Sequence, residues 1–310
     1  MTSLRRIPGI MCFLALLLAV SGAGRTAEGG DRTVTLAYVQ WSTEIASNNL
    51  VKAVLQEEMG YNCRLKAMAA DEMWEAVATG EVDAMVSAWL PTTHGHYYKR
   101  HKNRVDNLGP NMNGTRIGLV VPKITEGRFT AGTGIQNRPY IEADSIPELK
   151  QYRDEFEHRI VGIDPEAGIM KKTRQAMREY GLEEYRLVEG SEVSMIAELS
   201  HAIRHQEWIV VTGWLPHWIF ARWNLKFLKD PDNVYGEGGH IATVVRDGLK
   251  RDMPRVYSFL DRFSWTPSQM GQLMLWIQEG EGRKYPYEKA LRWMRHNPGK
   301  VRSWTRQEED

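Results

Sequence analysis

The sequence predicts a mixed α/β protein built of two similar lobes that face each other across a cleft, and three observations carry that expectation. Strand and helix signals alternate along most of the chain, which implies parallel sheets flanked by helices. A helix, a short turn and a strand lead twice into the same tripeptide, Trp89-Leu90-Pro91 and Trp214-Leu215-Pro216. The chain has 310 residues, 42% of them hydrophobic, enough for two domains of ~100 to 200 residues each.

The chain begins with Arg5 and Arg6, an apolar run from Ile10 to Val20, and the small residues Ser21, Gly22, Ala23 and Gly24. That order reads as a secretory signal peptide, and the run is shorter than the ~20 residues of a membrane span. Cleavage is expected after Ala23 or Ala27, with 1–27 taken as the signal. Removing Arg5, Arg6 and Arg25 turns 40 basic and 39 acidic side chains into 37 and 39, about −2 net. Such a balance gives no electrostatic reason to expect nucleic acid or an anionic membrane as partner. Of the two cysteines, Cys12 lies within the apolar run and Cys63 is left alone, so no intrachain disulfide is expected. Cys12 does not end the run, which argues against a lipid anchor and for a freely soluble periplasmic protein.

The first lobe is expected from residues 28–118. It opens with a buried strand at Thr33–Val39, followed by a helix at Ala46–Met59, a strand at Cys63–Ala67, a helix at Glu72–Thr79 and a strand at Val82–Ser87. A second set, assigned to 119–238 with its first strand at Ile117–Val121, has further strands at Arg159–Ile163, Tyr185–Val188 and Trp208–Thr212. Helices at Ser145–Tyr152, Gly168–Tyr180 and Ser191–Arg204 lie between them. Asp71 and Ser191 are the expected N-caps of the repeated helix. The segment 239–310, with a strand at Ile241–Val245 and helices at Met253–Arg262, Pro267–Glu279 and Tyr287–His296, is expected to return to the first lobe. Two crossings between lobes make a hinge. Thr130–Pro139 is the longest loop-like stretch.

Open α/β sheets bind ligands beyond the carboxyl ends of their strands. Four stretches fall at such junctions: Tyr38–Trp41, Ala88–His94, Gly162–Met170 and Gly213–Trp218. They hold Trp41, Trp89 and Trp214. A single Trp is more often an ordinary core aromatic, and Trp74, Trp276 and Trp293 read that way. The three at strand ends are followed at once by Pro or polar residues, where the chain turns. Three indole faces there could hold a quaternary ammonium, which has no N–H to donate, at about 0.5 to 2 kcal/mol per ring.

Gly168 and Ile169 open a helix, so their free N–H groups and the positive end of its dipole suit an anion. A bare turn role for Gly168 is equally open on these residues alone. His94, five residues after Trp89, is placed to donate to the same anion. His94, His96 and His101, or His201 and His205 at i, i+4 spacing, lack the acidic or cysteine partners of a strong metal motif, so no metal or cofactor is expected. Gly-x-Ser-x-Gly and glycine-rich phosphate loops are absent from the sequence, and no catalytic residue is assigned.

Together these stretches resemble the glycine betaine substrate-binding proteins of ABC importers, the OpuAC/ProX-like family. The likeness runs from Thr33 to Trp304 and includes Gly236-Glu237-Gly238-Gly239-His240-Ile241. It implies a monomeric, two-lobed periplasmic binding protein of the Venus-flytrap kind (type II) that closes on its ligand, is not an enzyme and serves a membrane permease and ATPase. It further implies that Trp41, Trp89 and Trp214 cage the trimethylammonium group while the N–H groups of Gly168 and Ile169, with His94, hold a carboxylate. Leu215 and Thr92 stand where other members often carry Thr or Ser, and Asn. Choline or another methylated amine is the alternative ligand; a sugar-binding protein or a periplasmic hydrolase is a more distant one.

Overall fold

The structure, a computed structural model, describes residues 33–123, 141–279 and 285–306. The expected signal peptide and the Thr130–Pro139 loop lie outside the described residues.

In the first lobe, β1 (Thr33–Tyr38) lies between β2 (Asn62–Ala67) and β3 (Ala84–Leu90), all parallel. The crossovers are α1 (Ser42–Ala53), which continues into a π-helical turn at Val54–Glu58, and α2 (Ala70–Thr79). A short α3 (Gly95–His101) follows β3. Next comes β4 (Val105–Pro122), an 18-residue strand that belongs to both sheets. Its residues 105–115 pair with β9 (Gly239–Arg246), which pairs in turn with β3, whereas 116–122 pair with the strands of the second lobe. Only the last part of this strand is expected from sequence. Gly109, Pro110, Asn111, Asn113 and Gly114 read as turn residues, and the structure accommodates them as three register shifts against β9.

The second lobe carries β5 (Arg159–Val161), α4 (Gly168–Glu179), β6 (Arg186–Val188), α5 (Glu192–His205), β7 (Val211–Leu215), α6 (Ile219–Arg222) and β8 (Leu225–Phe227). Here β7 runs antiparallel to β4 and parallel to β5, and β8 pairs with the end of β4. Ser191 caps α5 by accepting from the Ser194 N–H. Asp71 lies inside the first turn of α2 instead of capping it. Ala69 takes the cap position and its N–H donates to the Glu72 carboxylate at 3.2 Å. The segment Ser145–Tyr152 forms a 3₁₀ turn, Pro147–Tyr152, because Pro147 removes one backbone donor and the run is short.

The tail forms α7 (Leu249–Asp252), α8 (Pro254–Arg262), α9 (Pro267–Gln278), α10 (Pro286–His296) and α11 (Pro298–Thr305), and α9 and α10 pack on α1. Each of the last four begins with Pro at its first turn, where a missing N–H costs nothing. Trp293 and Trp304 stack at 5.9 Å and 3°, with Trp265 and Phe263 edge-on around them. Three of the eleven tryptophans, Trp265, Trp293 and Trp304, therefore serve the core of this tail. Among the described residues no helix is long and apolar enough to cross a membrane.

Candidate functional site

Trp41, Trp89, His94, Gly168, Ile169 and Trp214, drawn from both lobes, line one cavity of about 330 Å³, joined by Thr93, Ile117, Ile163 and Ala167. Trp89 and Trp214 are each the penultimate residue of a strand, β3 and β7, so they sit within the strand ends instead of just beyond them. Trp41 occupies the cap position between β1 and α1. All three are at most 7% exposed. Trp41 and Trp214 stand 6.5 Å apart at 54°, adjacent walls set at an angle and not stacked on each other.

The three ring N–H groups are treated differently. Trp89 Nε1 donates to Glu44 Oε1 at 2.8 Å, within the first lobe. Trp41 Nε1 donates across the cleft to Asp164 Oδ2 at 2.9 Å. Trp214 Nε1 is buried without a hydrogen-bond partner among the described residues.

His94 is 1% exposed. Its Nδ1 accepts from the Trp89 backbone N–H and from Trp74 Nε1, both at 3.3 Å. Two donors on Nδ1 fix the proton of the neutral ring on Nε2. Burial, aided by the nearby charges of His96 and Lys171, pushes the pKa down to about 3, so the ring is neutral at physiological pH. The Nε2–H is thus a buried donor on the opposite ring edge, with no partner among the described residues. Trp74, read from sequence as core, is indeed fully buried, but its N–H also orients this histidine.

Across the cavity, α4 starts at Gly168 after Ala167, which offers no side-chain cap. A Cβ on Gly168 would stand 2.4 Å from Thr93 Cβ and 2.5 Å from Thr93 O. Glycine is therefore required where the two lobes touch, and the helix start with its first N–H groups reaches the wall of the cavity.

A second set of bonds crosses the cleft beside the three tryptophans. Ser42 donates both its N–H, at 2.8 Å, and its hydroxyl to the Glu192 carboxylate, and Trp218 Nε1 donates to Ser42 Oγ at 3.1 Å. His217 Nε2 donates to Glu192 Oε1 at 3.0 Å while its Nδ1 accepts from the Ile219 N–H. Burial alone would raise the Glu192 pKa; the pull of His217 and the Ser42 donors outweigh it and leave the carboxyl below its ordinary value. Glu44 is the opposite case: only 1% exposed, with Oε2 unpartnered among the described residues, it is pushed up to about 8 by burial.

Sequence reasoning missed Glu44, Glu192 and His217. Glu44 had a signal: it shares with Ser47, Asn48 and Val51 the helix face that α1 buries, an acid on an inward stripe. Asp164, Thr93 and His217 lay inside stretches already singled out, whereas Ile117 was read only as the start of a strand. His201 and His205 gain an acidic neighbour the sequence did not suggest. Gln206 turns left-handed at φ 59° and brings Glu207 Oε2 to 3.5 Å from His201 Nε2, in an exposed trio away from the cavity.

Residues 32–296 match the family described as the substrate binding domain of ABC-type glycine betaine transport systems. The chain is 42% identical over 158 residues to the glycine betaine/carnitine transport binding protein GbuC of Listeria monocytogenes, a match over 50% of this chain and 52% of that one. The match thus spans about half the length of that curated relative. Among solved structures, lactococcal OpuAC in its closed conformation with glycine betaine superposes with a TM-score of 0.79 at 35% identity, over 89% of this chain and 100% of that one. The ProX glycine betaine/L-proline-binding protein of Borrelia burgdorferi does so with 0.80 at 36%, over 89% and 97%. An ABC-transporter choline-binding protein in complex with choline, at 24% identity, TM-score 0.75 and 88% and 91% coverage, shares the fold.

Proposed function

This chain belongs to the family of substrate-binding domains of ABC-type glycine betaine transport systems, and from that premise we propose that it captures glycine betaine, or a closely related trimethylammonium zwitterion, and hands it to a membrane-embedded ABC permease and ATPase. The observation that carries the choice of ligand is the buried, unpartnered Nε2–H of His94 in a cavity walled by three indoles. A cation without N–H groups is selected by ring faces, at about 0.5 to 2 kcal/mol each. The His94 donor and the start of α4 call for an anion on the same molecule. A donor left unsatisfied costs about 1 to 3 kcal/mol.

Binding makes and breaks no covalent bond. The lobes close by bending where the chain crosses between them, at Thr115–Arg116 in β4 and at Gly236–Gly239 before β9. These crossings lie side by side: a Cβ on Gly238 would meet Thr115 O at 2.5 Å. Closure forms the Trp41–Asp164 and Ser42–Glu192 bonds and expels water from the cage. We place the protein outside the cytoplasm, exported by the signal-like segment 1–27 and working as a monomer, with the lobes divided at the Thr115–Arg116 crossing, three residues before the 118/119 boundary expected from sequence: 28–115 plus 239–310, and 116–238.

Calorimetric titration tests this reading. Glycine betaine binds, choline binds at least about tenfold more weakly because it leaves the anion donors empty, and Trp214→Ala weakens glycine betaine about 100-fold or more. Equal affinity for both ligands removes the carboxylate subsite. An unchanged affinity in Trp214→Ala removes the cage.

A further inference from the structure

We propose that Glu44 is a positioning residue of the cage: its carboxyl holds Trp89 by the indole N–H, and a cation entering the cage makes Glu44 release a proton and stand as the counter-charge behind that ring. The inference rests on the reading of the cavity as a trimethylammonium site and adds to it a group that does not line the cavity.

Glu44 Oε1 accepts the Trp89 ring N–H at 2.8 Å, Oε2 has no partner among the described residues, and no Lys, Arg or His there forms an ion pair with it. From β3 only Ser87 and Trp89 act on it; across the cleft the charged group that does so is Glu192, which opposes ionisation. Lys52 and Tyr287, where α1 meets α10, lie about two helical turns farther along. A carboxyl so placed keeps its proton while the cage is empty, in keeping with a pKa near 8. The missing cation is the ligand. A trimethylammonium group on the face of Trp89 attracts the carboxylate beyond the ring edge, and an indole whose N–H faces a carboxylate presents a more electron-rich face. The balance is simple: the Glu44 O–H bond breaks, its electron pair stays on the carboxylate, and the proton passes to the buffer before the lobes close. His94, held neutral beside the ligand carboxylate, could only take up a proton, so the sign of the exchange identifies the group.

The test is calorimetric titration with glycine betaine at pH 6, 7 and 8, in phosphate and in Tris, for the wild type and for Glu44→Gln. The amide mimics the protonated carboxyl and keeps the acceptor for Trp89. The wild type is expected to release a large fraction of a proton per ligand at pH 7, with affinity rising about tenfold from pH 6 to 8. Glu44→Gln should match it at pH 6, fall about tenfold behind at pH 8 and release none. A wild type with no proton release and a flat pH profile overturns the proposal without use of the variant. A variant weakened equally at pH 6 and pH 8 also overturns it, since that is the mark of packing alone. If the wild type binds no trimethylammonium compound, the functional reading itself falls and takes this one with it.

Discussion

Trp89-Leu90-Pro91 and Trp214-Leu215-Pro216 are the same device built twice, and their backing differs. Each Trp is the penultimate residue of its strand, each leads into a cis prolyl bond, and each ring lines the shared cavity. Behind Trp89 a buried glutamate of the same lobe takes the ring N–H on Oε1, and among the described residues its Oε2 has no hydrogen-bond partner. Behind Trp214 no group among the described residues takes the N–H; the ring meets His217 edge-on at 4.7 Å and 79°, and His217 is bound to Glu192. Glu192 spends its remaining capacity on Ser42 of the other lobe. One copy uses its acid to set a ring. The other uses its acid to join the lobes.

The largest break in this comparison is Glu192→Ala. It strips a 4%-exposed carboxylate from His217, Ser42 N–H and Ser42 hydroxyl at once. Loss of one member of a buried pair costs about 3 to 5 kcal/mol. Urea unfolding is expected to show that loss, and stopped-flow displacement should show faster ligand release because closure has lost its main bonds. Unchanged release would mean that the Ser42 bonds do not hold the lobes together.

A smaller effect separates the two tryptophans themselves. Phe keeps an aromatic face but has no ring N–H. Trp214→Phe loses no hydrogen bond seen among the described residues, where Trp214 Nε1 has no partner, and should cost little beyond the weaker quadrupole of the smaller ring. Trp89→Phe leaves Glu44 without its only donor to Oε1, adding about 1 to 3 kcal/mol. Because that orphaned acceptor is borne by the free and the bound protein alike, the expected result is a Trp89→Phe variant less stable than Trp214→Phe by about 1 to 3 kcal/mol, read by urea unfolding. Equal losses would show that the backing glutamate does not matter to the first copy.

The frame of this site was legible in the chain and its wiring was not. Strand ends, a glycine-led helix and a repeated tripeptide are local patterns, so Trp89, Trp214, Gly168 and Ile169 could be read where they stand. Their convergence on one cavity agrees with that reading. The bonds that differ between the copies join residues far apart in sequence: Glu44 to Trp89, Trp41 to Asp164, Ser42 to Glu192, Trp74 to His94. Nothing local announces such partners, because only the folded sheet brings them together. Gly168 shows the same limit in another form. From sequence a bare turn role was equally open for it, and what requires glycine there is Thr93 in the other lobe. In β4 the local signals leave the first part of the strand unannounced, since Pro110 and the glycines around it fit bulges in a strand as well as they fit a loop.

The smallest expected effect is on stability against pH, where His94 and Glu44 pull in opposite directions. His94 titrates near 6.5 in an unfolded chain and near 3 when folded. Between those values the unfolded state binds more protons, so its contribution to stability is present above 6.5 and is lost as pH falls toward 3. Glu44 titrates near 4.5 unfolded and near 8 folded. In that interval the folded state binds more protons, so its contribution declines as pH rises from 4.5 to 8. The two overlap and oppose each other between 4.5 and 6.5, and above 6.5 Glu44 acts without His94. Ligand-free wild type should therefore lose roughly a few degrees of Tm between pH 6.5 and 8, and Glu44→Gln should be flat there. Saturating glycine betaine should also reduce the decline, because a cation over Trp89 favours the ionised carboxyl. A ligand-free Tm that stays level or rises from pH 6.5 to 8 would mean that Glu44 is already ionised, and would put the first copy's acid in the same state as the second's.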